Sequence, residues 1–358
     1  IFYVEWLNEA FENYDFITIK TIAVKIVYVV LLLTLVNNTD DYLIFTILLV
    51  VTTALNNIIS FIYIKRKVKF DFSHLVFLPH LRPLVLVVIF MNGNILYSQL
   101  DIFMLGKFVN EVAVSFYVMS KQITTIISAL LLSVVQVTIP RLSYLLGAAD
   151  EHSYLKLVQK ITKIYFAVLF PASIGLFLIS DLGVVVYGGN EFAKAGSVLA
   201  LFSIYMIFLG IDNILSNQVM YVKQKENILV RFIVVCGVMN LILNSVFVYV
   251  GHFSAEIAVA TTAFSTLILV CMEYYYVRKK LKMPINILSA SNLKYLFFSL
   301  LFIPLVYLIR HFFTGTYILF IVITVSCIVL YVFLLWITKD DILFMLIDKA
   351  KQKVLFKR

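Results

Sequence analysis

The chain has 358 residues, of which 62% are hydrophobic and only 14% charged, with 29 lysines and arginines against 20 acids for a formal charge of +9. Soluble domains carry about a quarter charged residues, so this composition excludes a water-soluble fold. Many apolar runs reach the roughly 20 residues that cross a bilayer, which makes the chain a polytopic membrane protein.

Ahead of the first span, VEWLNEAFENYDF places Glu5, Glu9, Glu12 and Asp15 along one helical face, with Trp6, Ala10, Phe11 and Tyr14 toward the other. That is the pattern of a helix lying in the membrane interface. The first span, 17–36, aligns Thr18, Thr21, Lys25 and Tyr28 on one face, with Lys20 near the inner surface. Lys20 is expected to snorkel to the headgroups. Lys25 sits about two turns deeper, where it either reaches the headgroups or meets an anionic group such as a phosphate. In the second span, 42–64, Asn56, Asn57 and Ser60 read as hydrogen-bonding glue between helices.

The third span, 82–105, carries Asn94, Ser98 and Asp101 at i, i+4 and i+7, and the fourth, 113–139, carries Lys121, Thr125 and Ser128 in the same way. Each set shares one helical face. With the turn near 109–112, Asp101 and Lys121 stand ~15 Å below it on adjacent antiparallel helices. Opposite charges at equal depth are expected to pair, since an unpaired buried charge is far costlier. The pair either fastens two helices or lines a water-filled cavity. Pro140 is expected to end the fourth helix, after which RLSYLLGAADEHSYLKLVQKITK reads as a second interfacial connector.

The fifth and sixth spans are 162–186 and 195–219, and the sixth aligns Tyr205, Asp212 and Ser216 beside Asn213 and Asn217. Asp212 is a candidate cation or proton site, or else a packing hydrogen-bond partner. The remaining spans are 228–250, with Asn240 and Asn244 as interhelical glue, then 255–277, 293–310 and 317–337. Asp181, Glu256 and Glu273 fall close to span ends and are expected to be wetted. Basic residues gather in alternate loops, at 65–69, 141–160, 223–225, 278–282 and in the tail, which puts both the start of the first span and the C-terminus inside. This topology accounts for the net charge without a nucleic-acid partner.

Cys236, Cys271 and Cys327 all lie in apolar runs and read as buried thiols, and the five histidines show no ligand spacing, so no metal is expected. There is no phosphate-binding glycine loop, HExxH or GxSxG, and no outer loop exceeds about a dozen residues. No cofactor and no enzymatic activity are therefore expected.

Six segments, in order, are WLNEAFENYDFITIK, NNTDDY, QLDIFMLGKFVNEVAVSFYVMSKQI, VTIPRLS, FPASIGLFLIS and VVVYGGNEFAKAGSVLALFS. Together they resemble polysaccharide flippases of the Wzx type, which share a superfamily with multidrug and toxin extrusion exporters and lipid II flippases. The resemblance implies an all-α, polytopic membrane bundle of two six-helix lobes around a central cavity, sometimes followed by an extra helix pair. On that pattern residues 1–70 end the N-lobe, 71–280 form the C-lobe, and 281–358 hold the extra pair and a basic cytoplasmic tail. About four helices are then expected ahead of Ile1.

The function so implied is transfer of an undecaprenyl-diphosphate-linked oligosaccharide from the inner to the outer leaflet of the plasma membrane for capsule or O-antigen synthesis. Alternating access of the lobes, coupled to H+ or Na+, would drive it. Lys25 and Lys121, with Asn94, Ser98 and Thr125, are then expected to contact the substrate, and Asp101 or Asp212 to bind the coupling ion. The bilayer and polysaccharide-assembly proteins such as a polymerase are the other implied partners. Two alternatives stay open: a multidrug exporter of the same superfamily, against which cavity lysines argue, and a membrane-embedded polymerase or ligase, against which the short outer loops argue.

Overall fold

A computed structural model describes residues 3–11, 13–38, 41–68, 76–287 and 289–345, while the side chains of 80, 82, 83, 86, 87 and 89–98 lie outside the described set. Among the described residues every regular element is helical. They are α1 (Glu5–Ala10), α2 (Tyr14–Leu35), α3 (Tyr42–Lys65), α4 (Leu78–Phe108), α5 (Glu111–Gly147), α6 (Glu151–Leu178), α7 (Ser180–Gly188), α8 (Gly196–Asn213), α9 (Glu226–Val250), α10 (Ala255–Tyr275), α11 (Ala290–Leu300), α12 (Phe302–Phe312) and α13 (Thr316–Ile337). A helix satisfies its backbone polar groups internally, which lipid demands. Nine segments of the described residues are long and apolar enough to cross a membrane. The predicted span 82–105 falls within α4, a helix of 31 residues.

The chain forms two compact units, Ile1–His80 and Leu81–Arg358. In the first, α2 and α3 pack side by side and α1 lies against both. Two expectations fail here. The interfacial segment is not one helix, since α1 ends at Ala10 and α2 begins at Tyr14, and its acids divide: Glu9 on α1 and Asp15 on α2 are exposed, whereas Glu5 turns inward. Lys20 does not snorkel. It is 5% exposed, pairs with Glu5 at 2.8 Å and donates to Ser60 Oγ at 2.6 Å. An inward carboxylate within reach relieves the lysine of the need to find water. Glu12 lies outside the described residues.

In the second unit α8 is central, packed against α5, α6 and α10. Gly210 permits its close approach to α6, because a Cβ there would overlap Leu169 Cδ2 and press on Tyr165 Cε1 at 3.2 Å. Leu169 and Tyr165 are themselves buried. Gly210→Val is therefore expected to destabilise the purified protein by about 1–3 kcal/mol through overpacking, seen as a lower unfolding temperature in detergent, with Gly210→Ala milder.

Three boundaries depart from expectation. Pro140 does not end α5, which continues to Gly147. One lost N–H bond is tolerable in a membrane helix whose neighbours adjust around it. The expected interfacial connector is instead the ends of α5 and α6, joined by a tight turn with Ala149 at φ 56° and Asp150 accepting the Ser153 N–H at 3.0 Å. The predicted fifth and ninth spans are each divided, at Ile179 between α6 and α7 and at Leu301 between α11 and α12, three residues before Pro304. Cys236 and Cys327 are buried, but Cys271 is exposed on α10, since an apolar run in lipid need not face the bundle.

Beyond α13, Asp340 is 1% exposed, paired with Lys294 and hydrogen-bonded by Tyr295 Oη at 3.1 Å and the Ile342 N–H at 2.9 Å. Burial pushes its carboxyl up, but the hydrogen bonds and charge of Lys294 and the Ile342 amide outweigh it and hold the group below its ordinary value. A carboxyl depressed in the fold stabilises above its unfolded value of about 3.9 and loses that contribution as pH falls through the folded one. The unfolding temperature is accordingly expected to drop below about pH 4, and less steeply in Asp340→Asn, in thermal scans across pH.

Candidate functional site

The hairpin of α4 and α5 is set by Asn110, whose Oδ1 accepts the Ala113 N–H at 2.8 Å and caps α5. This tight turn brings Asp101 of α4 opposite Tyr117 of α5, one helical turn nearer the loop than Lys121. Tyr117 Oη donates to Asp101 Oδ2 at 2.8 Å. From α10, Thr262 Oγ1 donates to the same oxygen at 2.7 Å, and from α9, Asn244 Nδ2 donates to Oδ1 at 2.7 Å. Asp101 is fully buried, and its carboxylate ties four helices together.

The ion pair predicted between Asp101 and Lys121 is thus replaced. Among the described residues the carboxylate's hydrogen-bond donors are the neutral groups of Tyr117, Thr262 and Asn244, and the charge of Lys121, half-buried on α5, also acts on it. Depth counting placed the two charges level, but helix rotation turns Tyr117 toward Asp101. Thr125 is exposed on α5. Asn94 and Ser98 lie on α4, but their side chains are outside the described set. Lys25 is exposed on α2 in the first unit.

The partners of Asp101 are themselves held by neighbours. Asn240 Nδ2 donates to Thr262 Oγ1 at 3.0 Å, and the single hydroxyl hydrogen of Thr261 serves either Asn244 Oδ1 or, at 2.9 Å, the Ala258 carbonyl. Asn240, Asn244, Thr261 and Thr262 are all buried. One carboxylate among amide, hydroxyl and carbonyl oxygens is the donor set of a hard cation, or of a proton held on the carboxylate. Read along the chain, Asn240 and Asn244 looked like glue and Thr261 and Thr262 drew no notice. Their signal was the one-turn step from Asn240 to Asn244 on α9 and the steps from Thr261 to Ser265 and Thr262 to Thr266 on α10.

Asp212 is elsewhere, in the last turn of α8, 5% exposed, where the helix widens into a π-helical segment at Ile214–Tyr221. Such widenings are frequent at functional sites. Glu273 on α10 stands beside it and is fully buried, contrary to the expectation of a wetted group. α10 runs on unbroken into Tyr276–Lys280, which carries Glu273 beneath α8 and α9 rather than into the headgroups. Asp181, as expected, is exposed, held by Arg310 of α12 at 2.7 and 2.8 Å. On another face α5, α6, α7, α12 and α13 enclose an apolar groove of 940 Å³, lined among others by Ile127, Pro171, Phe302 and Phe320.

Comparison with known proteins adds three findings. The family model described as lipid II flippase MurJ matches residues 12–328. A protein of Shigella dysenteriae named "Putative O-antigen transporter" is 24% identical over 254 residues, covering 69% of this chain, which spans 62% of that relative's length. The solved structure titled "Lipid II flippase MurJ, inward closed conformation" superposes with a TM-score of 0.70 at 16% identity, over 91% of this chain and 67% of that one. It shares the fold.

Proposed function

The chain belongs to the lipid II flippase MurJ family, and on that footing we propose that it moves an undecaprenyl-diphosphate-linked oligosaccharide from the inner to the outer leaflet, driven by an ion bound at Asp101. Members of this family are transporters rather than enzymes, and the chain is a multi-pass membrane protein. The observation that carries the reading is Asp101 itself. A fully buried carboxylate in a membrane bundle is costly, and this one is held by α5, α9 and α10 at once. Ion binding there biases how those helices pack, the coupling that alternating access needs.

Lys121 would meet the diphosphate or acidic sugars, with Asn94, Ser98 and Thr125 bonding sugar hydroxyls, and Lys25 of the first unit is a separate candidate contact for an anionic group. The lipid tail would stay in the bilayer, where the apolar groove beside α12 and α13 suits a prenyl chain. The basic tail supports a C-terminus on the inner side. Polymerases and other assembly proteins would receive the product. The similarity to an O-antigen transporter favours a polysaccharide repeat unit, and the family's own name supports lipid II as the second reading.

The test is the full-length protein reconstituted in vesicles with a fluorescent lipid-linked oligosaccharide or with lipid II. Transfer to the opposite leaflet, dependent on a Na+ or H+ gradient, is expected for the oligosaccharide. Transfer of lipid II alone selects the second reading, and transfer of neither overturns both.

A further inference from the structure

Three helices below Asp101 turn polar stripes toward one another. On α9, Cys236, Asn240 and Asn244 recur every fourth residue and are all fully buried. On α10, Thr262, Thr266 and Glu273 share a face at spacings of four and seven, each 3% exposed or less. On α8, Tyr205 and Asp212 stand two turns apart, and α8 packs closely along α10. The stripes meet. Asn240 bonds Thr262, Tyr205 is near Thr266 and feels the charges of Asp101 and Asp212, and Asp212, Cys236 and Glu273 come together at the lower end. From Thr262 to Glu273 the file is ~16 Å long.

Glu273 is the anomaly in it. Both carboxyl oxygens are buried, and among the described residues neither takes a hydrogen bond. The groups acting on it are Asp212 and Cys236. Among the described residues, the titratable groups that feel Asp212 include Tyr205 on its own helix, Tyr165 from α6, Cys236 from α9 and Glu273 from α10. Further along α10's continuation come Arg278, Lys279 and Lys280, which are exposed, with Arg278 bonded to the Ile285 carbonyl. Two ionised carboxylates side by side at this depth would carry a prohibitive cost.

We propose that Asp212 and Glu273 form a proton-binding site that shares a single proton, at the foot of a buried polar file leading from Asp101. The ligand is a proton rather than a metal ion because the neutral oxygens a cation needs gather at Asp101, whereas Glu273 meets a carboxyl and a thiol. Releasing the proton leaves two like charges where α8 passes into its π-helical segment, and their repulsion gives that junction a second arrangement. In transport terms the inference rests on the ion-coupled reading above, but the proton is read out without transport.

Infrared difference spectra of the full-length protein in nanodiscs, recorded across pH, carry the test. A protonated-carboxyl C=O band that titrates is expected in the wild type, absent in Glu273→Gln, altered in Asp212→Asn and retained in Asp101→Asn. Glu273→Gln keeps size and shape, and Asp212→Asn reports independently if one variant misfolds. A band that survives both substitutions, or that sodium abolishes in the wild type at constant pH, overturns the proposal. Where transport is measurable, Glu273→Gln is expected to flatten its pH dependence. Failure of transport with the band intact counts against the flippase reading alone.

Discussion

Asp101→Asn in the full-length protein is expected to lower ion-driven transfer of the lipid-linked oligosaccharide by about 5–150-fold, the range that a coupling free energy of 1–3 kcal/mol spans. The protein should nonetheless fold. Of the three donors to Asp101 among the described residues, two are the hydroxyls of Tyr117 and Thr262, and a hydroxyl can turn to accept from the new amide instead of donating to it. Asp101→Ala differs, because it orphans both hydroxyls and the Asn244 amide. Each unsatisfied buried donor costs about 1–3 kcal/mol, so this variant is expected to lose several kcal/mol and express poorly. Transport by Asp101→Asn at the wild-type rate, with unchanged ion dependence, would reduce Asp101 to a bolt between helices.

The contrast between Asp101 and its partners shows what the chain discloses of itself. A carboxylate in a run such as NILYSQLDIFMLGKF is visible because its cost in lipid needs no neighbour to be recognised. Its partners are another matter. Asn244 and Thr262 lie 143 and 161 residues away, and only packing decides which faces of α9 and α10 meet α4. Counting depth along one hairpin selected Lys121 because the hairpin was the only proximity that could be counted. The same lack of packing information hid Glu273. Its place near the end of span 255–277 suggested water, whereas the unbroken helix and the cover of α8 and α9 bury it.

Spans were legible for the opposite reason. An apolar run of about 20 residues has a single low-cost conformation in lipid, so length and composition decide it without tertiary detail. Where local rules competed with that constraint, the constraint won, as at Pro140, which α5 passes through. At α1 the outcome turned on a contact. Glu5 and Glu9 lie on α1 while Asp15 belongs to α2, and Lys20 of α2 draws Glu5 inward.

That recruitment makes Glu5→Ala the most destabilising change expected in the first unit. The Lys20 side chain is 3% exposed and that of Glu5 is 13%, and Ser60 Oγ bonds both. Removing the acid leaves an ammonium buried between α2 and α3 with one hydroxyl, an uncompensated charge that costs about 3–5 kcal/mol. The reverse change, Lys20→Met, should cost less. Glu5 belongs to a helix of only six residues, which can lift away and hydrate its carboxylate, whereas Lys20 is fixed within the 22 residues of α2. Removing both charges at once, Glu5→Leu with Lys20→Met, should recover most of the loss, because a buried ion pair replaced by apolar groups is often neutral. Unfolding temperatures of the full-length variants in detergent give the cycle. The expected order is wild type near the double variant, then Lys20→Met, then Glu5→Ala. A double variant no better than Glu5→Ala would mean that the carboxylate supports α1 through its own packing rather than through Lys20.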